Sequence, residues 1–130
     1  MESCLLIVLV EDDVDLAEVT QLALEREGLR VAVAHEGVEG LALIERLHPD
    51  VVVTDLVMPV LDGLGLIQQH QAQPGRRAPV IAISAMGSRL HAARELGAVE
   101  ALVKPVEPVE LAAVVRKAAR REHDGFAPRT

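Results

Sequence analysis

Three acids, a hydroxyl and a lysine stand where short apolar runs of this chain give out. Leu5 to Val10 stops at Glu11-Asp12-Asp13, Val51-Val52-Val53-Thr54 runs into Asp55, Val80 to Ile83 ends at Ser84, and Ala101 to Val103 ends at Lys104-Pro105. Continuous aliphatic and β-branched runs predict strands buried on both faces. In parallel α/β sheets ligands bind just beyond the carboxyl ends of the strands, so charge at those positions is better placed for chemistry than for packing. Each residue taken singly has a plainer reading. Asp55 can open a turn, Glu11-Asp12-Asp13 can be the acidic start of a helix, Ser84 can be an ordinary strand-end hydroxyl and Lys104 a solvated surface lysine. For Asp13 the helix start is the reading adopted.

Together, on one rim, they have a chemistry that none has alone. Glu11, Asp12 and Asp55 would converge there, and two like charges ~4 Å apart at an effective dielectric of ~20 repel by about 4 kcal/mol. Such crowding calls for a cation. All-oxygen ligation by carboxylates suits Mg²⁺, which is usually held by one or two carboxylates, waters and a phosphate oxygen. Asp55 could then act as a carboxylate nucleophile and accept phosphate as an acyl phosphate. Lys104 would pair with Asp55 or with the added oxygens, and the Ser84 hydroxyl could donate to one of them.

The elements that must position this rim can be read in order. After the first run, Val14 to Glu27 reads as a helix with Leu16, Val19, Leu22 and Ala23 on its apolar face, ended by Gly28. Arg30 to Ala34 is a short strand, and Val38 to Leu47 a helix with Leu41, Ile44 and Leu47 inward, stopped by His48-Pro49. After the central run, 59 to 63 is a loop. Leu64 to Gln71 is a weaker helix in which Leu64 and Ile67 face inward, and Ala72 to Pro79 is a connection. Ser88 to Leu96 predicts a helix with Ser88 as N-cap and Gly97 at its end. Pro108 to Arg121 is the clearest helix, with Leu111, Val114, Val115, Ala118 and Ala119 on one face and a basic end. Five strand-then-helix units in alternation predict an α/β fold, a parallel sheet with helices on both faces.

Length and composition agree with one such domain. The chain has 130 residues and is 50% hydrophobic, yet Phe126 is its only aromatic, so Val, Leu, Ile and Ala must build the core. A net charge of −7 disfavours direct binding to nucleic acid or an anionic membrane. Cys4 is the only cysteine, which excludes an internal disulfide. The run Cys4 to Val10 is too short for a membrane span and follows the acidic Glu2, and a cytoplasmic protein is expected. The five histidines, His35, His48, His70, His91 and His123, lack metal-ligand spacing and are expected on the surface or in loops. Arg116, Lys117, Arg120 and Arg121 read as a solvated helix end.

Leu9-Val10-Glu11-Asp12-Asp13, Asp55-Leu56-Val57-Met58-Pro59, Asp62-Gly63, Ile83-Ser84-Ala85 and Val103-Lys104-Pro105, in this order, resemble the motifs of the receiver domain of bacterial two-component response regulators. The resemblance covers essentially the whole chain, with a receiver domain over 1–122 and a tail over 123–130. It implies a flavodoxin-like (βα)5 three-layer sandwich, its five-stranded parallel sheet in the order 2-1-3-4-5. It implies a signalling switch, not an enzyme, in which Asp55 accepts phosphate from a phosphohistidine on a histidine kinase or histidine phosphotransfer protein. By the same pattern Asp12 and Asp55 bind Mg²⁺, Glu11 acts through water, the Val57 carbonyl completes the protein ligands, Ser84 is the switch hydroxyl and Lys104 the phosphate-binding lysine. The Lys104-Pro105 bond is expected to be cis. A homodimer through the fourth helix, fifth strand and fifth helix is also implied. Ala92, Ala93, Ala112 and Ala113 would permit close approach there, and equally suit a core.

One departure stands out. Ala101, three before Lys104, replaces the Tyr or Phe usual in the family, so readout is expected through the loop Ala85 to Ser88, where Gly87 allows backbone change. Val57 and Met86 cannot orient an attacking water, and a long-lived phosphorylated form is expected. Two rivals remain. A hydrolase of the haloacid-dehalogenase type would need a second acid where Val57 stands, and a receiver that binds partners without phosphorylation would not need Glu11, Asp12, Asp55 and Lys104 together.

Overall fold

The computed structural model describes residues 4–75 and 77–124, the side chains of the last four excepted. Glu2, Phe126 and residues 125–130 of the expected 123–130 tail therefore lie outside what is described, as do the side chains of Arg121 and His123. Five strands, β1 (Leu6–Val10), β2 (Arg30–Ala34), β3 (Val51–Asp55), β4 (Val80–Ser84) and β5 (Glu100–Val103), alternate with five helices, α1 (Val14–Arg26), α2 (Gly37–Leu47), α3 (Gly63–Gln71), α4 (Gly87–Glu95) and α5 (Pro108–Asp124). The strands form one parallel sheet in the order β2-β1-β3-β4-β5, the flavodoxin-like arrangement expected.

The unbroken apolar runs are the strands buried on both faces. Every residue of β3 and β4 is buried, whereas the edge strands β2 and β5 are partly open. Alternation along each strand divides the interior in two. Val8, Val10, Val52 and Ala82 pack on one face against Ile44 of α2, Leu66 and Ile67 of α3, and Leu90 and Ala93 of α4. Ile7, Leu9, Val51, Val53, Ile81 and Ile83 pack on the other against Leu24 of α1 and Leu111, Val115 and Ala118 of α5.

Helix ends follow local chemistry. Asp13 caps α1 by accepting from the Leu16 N–H at 3.0 Å, and Asp62 caps α3 by accepting from the Gly65 N–H at 2.9 Å. Gly28 (φ 91°) and Gly97 (φ 115°) take the left-handed turn that follows α1 and α4.

Four expectations need correction. The face of α1 that meets the sheet carries Ala17 and Leu24, while Leu16, Val19 and Leu22 are exposed. In α3 the buried residues are Gly63, Leu66, Ile67 and His70, so Leu64 is only half-buried and His70 is interior, its Nε2 2.9 Å from the Ala78 carbonyl oxygen. Helix α4 starts at Gly87 with Met86 at its N-cap and no side-chain cap, which moves Ser88 into the first turn. Arg116 is not merely solvated, since it donates to the Glu27 carbonyl and ties α5 to the end of α1. Among the described residues no helix is long and apolar enough to cross a membrane.

Candidate functional site

Strand register brings the candidate residues level. Val10 lies opposite Ala34 and Thr54, Asp55 opposite Ile83, and Ser84 opposite Val103, so Glu11, Asp55, Ser84 and Lys104 emerge on one rim. Glu11, Asp12 and Asp55 each offer a carboxylate oxygen within 4.8 Å of the others, with Glu11 and Asp55 buried and Asp12 exposed. Among the described residues no other group of His, Cys, Asp or Glu is assembled in this way.

Lys104 reaches into this cluster. Its Nζ donates to Asp55 Oδ2 at 2.8 Å and to Glu11 Oε1 at 3.2 Å. The other Asp55 oxygen, Oδ1, accepts from the Val57 N–H at 3.2 Å, and Glu11 Oε2 accepts from the Asp13 N–H at 3.2 Å. Burial, with the neighbouring Asp55 charge, pushes the Glu11 carboxyl up from 4.5 to about 7, although the Asp13 N–H and Lys104 both oppose the rise. Burial favours loss of the proton from Lys104, but the hydrogen bond to Asp55 and the charges of Glu11 and Asp55 outweigh it and hold the ammonium above its usual range. The cluster thus offsets its crowded acids with one lysine and with a Glu11 carboxyl that burial makes easier to protonate.

The loops around the rim are held by the main chain. Leu56 N–H donates to the Ile83 carbonyl at 3.1 Å, and Gly63 N–H to the Leu56 carbonyl at 3.0 Å. A Cβ on Gly63 would run into the Asp55 carbonyl oxygen, so only glycine lets α3 start this close to β3. Ser84 is fully buried, its Oγ accepts from the Met86 N–H at 3.0 Å, and its carbonyl accepts from the Lys104 N–H at 3.0 Å. The Lys104-Pro105 bond is cis, as expected. Val57 and Met86 flank the rim about half exposed, and Ala101 is half-buried in β5.

Two neighbours escaped the sequence. Arg89 of α4 pairs with Asp62, the cap of α3, at 3.4 Å, and the His35 Nδ1 lies 3.1 Å from the Glu11 carbonyl oxygen. Nothing in the spacing of Arg89 announced its contact. His35 did carry a signal, since it follows β2 directly and so emerges on the same rim as Glu11.

The donor set fits a small hard cation. Three carboxylate oxygens within 4.8 Å of one another are hard donors of the kind Mg²⁺ takes.

A doubly wound parallel sheet with an acidic, lysine-bearing site at the carboxyl ends of its strands defines a flavodoxin-like module of the receiver type. A sequence model of the response regulator receiver domain matches residues 7–116, and the chain belongs to that family. It is therefore a switch of two-component signalling. The DNA-binding response regulator MtrA of Mycolicibacterium paratuberculosis is 33% identical over 120 residues, 91% of this chain and 52% of MtrA. The chain thus spans about half the length of the curated relatives it matches. Among solved structures, the Francisella response regulator 1452 receiver domain superimposes with a TM-score of 0.83 at 30% identity, covering 90% of this chain and 98% of that one. A response regulator receiver domain protein from Clostridium thermocellum gives 0.85 at 26% identity, covering 94% and 99%.

Proposed function

We propose that Asp55 is the phosphoacceptor of this switch. One observation carries the reading: Asp55, buried at a strand end, shares Lys104 with Glu11 while Asp12 stands alongside. Attack of an Asp55 carboxylate oxygen on the phosphorus of a phosphohistidine forms the new P–O bond as the P–N bond breaks, and the bonding pair returns to the imidazole nitrogen. Lys104 is placed to pair with the oxygens that arrive, and the buried Ser84 hydroxyl, which accepts from Met86, retains a proton to donate. Glu11, Asp12, Asp55 and the Val57 carbonyl would hold Mg²⁺, which when bound neutralises charge on the transferred group.

The donor is a histidine kinase or a histidine phosphotransfer protein, and the protein works in the cytoplasm as a regulatory acceptor, not as an enzyme turning over a substrate. A net charge of −7 supports a domain that signals to an output partner and touches neither nucleic acid nor membrane itself. Self-association would use α4, β5 and α5. Ala93 and Ala112 are consumed by the core, so Ala113, Val103 and Val109 are what that face offers.

Incubation with Mg²⁺ and acetyl phosphate, followed by intact mass, tests the assignment. Addition of one phosphate that is lost in Asp55→Asn is expected. No addition would leave a partner-binding scaffold, and catalytic turnover of phosphate esters would point to a hydrolase.

A further inference from the structure

His35 is exposed, yet its ring is not idle. Its Nδ1 lies 3.1 Å from the main-chain oxygen of Glu11, and a carbonyl oxygen can only accept, so Nδ1 carries the proton of this bond. The histidine is itself anchored. Glu39 in the first turn of α2 reaches back and accepts from the His35 N–H at 3.0 Å, in the manner of a capping box. The carbonyl of that same peptide unit, belonging to Ala34, accepts from the Glu11 N–H at 2.9 Å.

The carbonyl that His35 holds belongs to the peptide joining Glu11 to Asp12. A peptide unit is planar, so holding its oxygen restricts rotation of the whole unit, at whose two Cα ends the Glu11 and Asp12 side chains branch. We propose that His35, braced by Glu39, is a positioning residue that presents Glu11 and Asp12 to the cation. The inference rests on the metal reading given above. The partners of metal ligands fix ligand orientation, and their loss typically costs 10–100-fold in metal affinity. Here the brace acts through the main chain of the acids and itself engages none of their carboxylate oxygens.

The test titrates Mg²⁺ into the full chain by calorimetry and follows amide exchange in the metal-free protein. In His35→Ala, Mg²⁺ affinity should fall about tenfold, and the Glu11 and Asp13 amides, both hydrogen-bonded beside the braced peptide, should exchange faster while those of β4 do not. In His35→Asn, whose Nδ2 can occupy the place of Nδ1, both should return to near wild-type values. Glu39→Gln should lie between wild type and His35→Ala. Affinity and exchange unchanged in His35→Ala, or Asn as impaired as Ala, would overturn the proposal. If the unaltered chain binds no Mg²⁺, the metal reading fails. Exchange at Glu11 and Asp13 then decides the brace: faster exchange in His35→Ala upholds the clamp on this peptide, and unchanged exchange removes it.

Discussion

Glu11, Asp55, Ser84 and Lys104 could be read from the sequence because each interrupts or ends a run that has only packing to do. For His35 the only signal was its place directly after β2, since its partner is a main-chain oxygen 24 residues away and main-chain acceptors leave no trace in residue type. Val60 was equally silent. It is a β-branched residue at φ 67° and is 94% exposed, in the loop between β3 and α3. The left-handed region costs a non-glycine residue roughly 1–2 kcal/mol, and glycine returns about 0.5–1 kcal/mol of that in chain entropy. Val60→Gly should therefore raise stability in urea by roughly 0.5–1 kcal/mol, and a loss of stability would show that the loop is not strained. At Val57, half exposed beside the rim, a polar side chain could orient water where the native one cannot. Val57→Gln should shorten the lifetime of the phosphorylated form on the order of tenfold, below the 10²–10⁴ of a fully positioned general base. Decay of radiolabelled or mass-shifted protein measures this, and an unchanged lifetime counts against it.

At the scale of elements, all ten strands and helices were legible, but not every face. In α1 the hydrophobic residues point the wrong way. The buried positions are Ala17, Leu24 and, between them, the half-buried Thr20 and Gln21, with Gln21 Nε2 donating to the Val31 carbonyl at 3.1 Å. A small residue and two polar ones hide the true stripe, while Val14, Val19 and Leu22, larger and more than half exposed, imitate one. His70 misleads in the same way, because a side chain whose ring bonds to a nearby carbonyl can be interior without looking apolar. The consequence is measurable. Leu24→Ala should cost about 2–5 kcal/mol, whereas Leu22→Gln should stay within about 0.5 kcal/mol of the parent. Equal losses on chemical denaturation would mean that α1 is rotated from the orientation described.

At the scale of the molecule, two aliphatic cores grip a sheet whose carboxyl rim concentrates negative charge, so the stability of the whole is linked to the state of one buried carboxyl. Glu11 titrates near 7 when folded without metal, against about 4.5 as a model carboxyl. Its folded value is the higher one, so between those limits the folded chain holds the proton more tightly than the unfolded chain. The stabilisation is fully present below about 4.5 and is lost as pH rises through 7. Each pH unit in that window is worth up to about 1.4 kcal/mol, and the total is on the order of 3 kcal/mol. Lys104 stays cationic throughout, so the change belongs to Glu11. The metal-free protein should therefore be less stable at pH 8 than at pH 5.5 relative to Glu11→Gln, which mimics the protonated form and lacks this dependence. Mg²⁺ competes with the same proton, so its affinity should rise with pH across the window, and saturating Mg²⁺ at pH 8 should restore the lost stability in the parent far more than in the variant. Urea unfolding of both proteins at the two pH values, with and without Mg²⁺, checks the sign. A parent and a Gln variant that move in parallel would show that the rim is not relieved of its crowding by a proton or by a metal at Glu11.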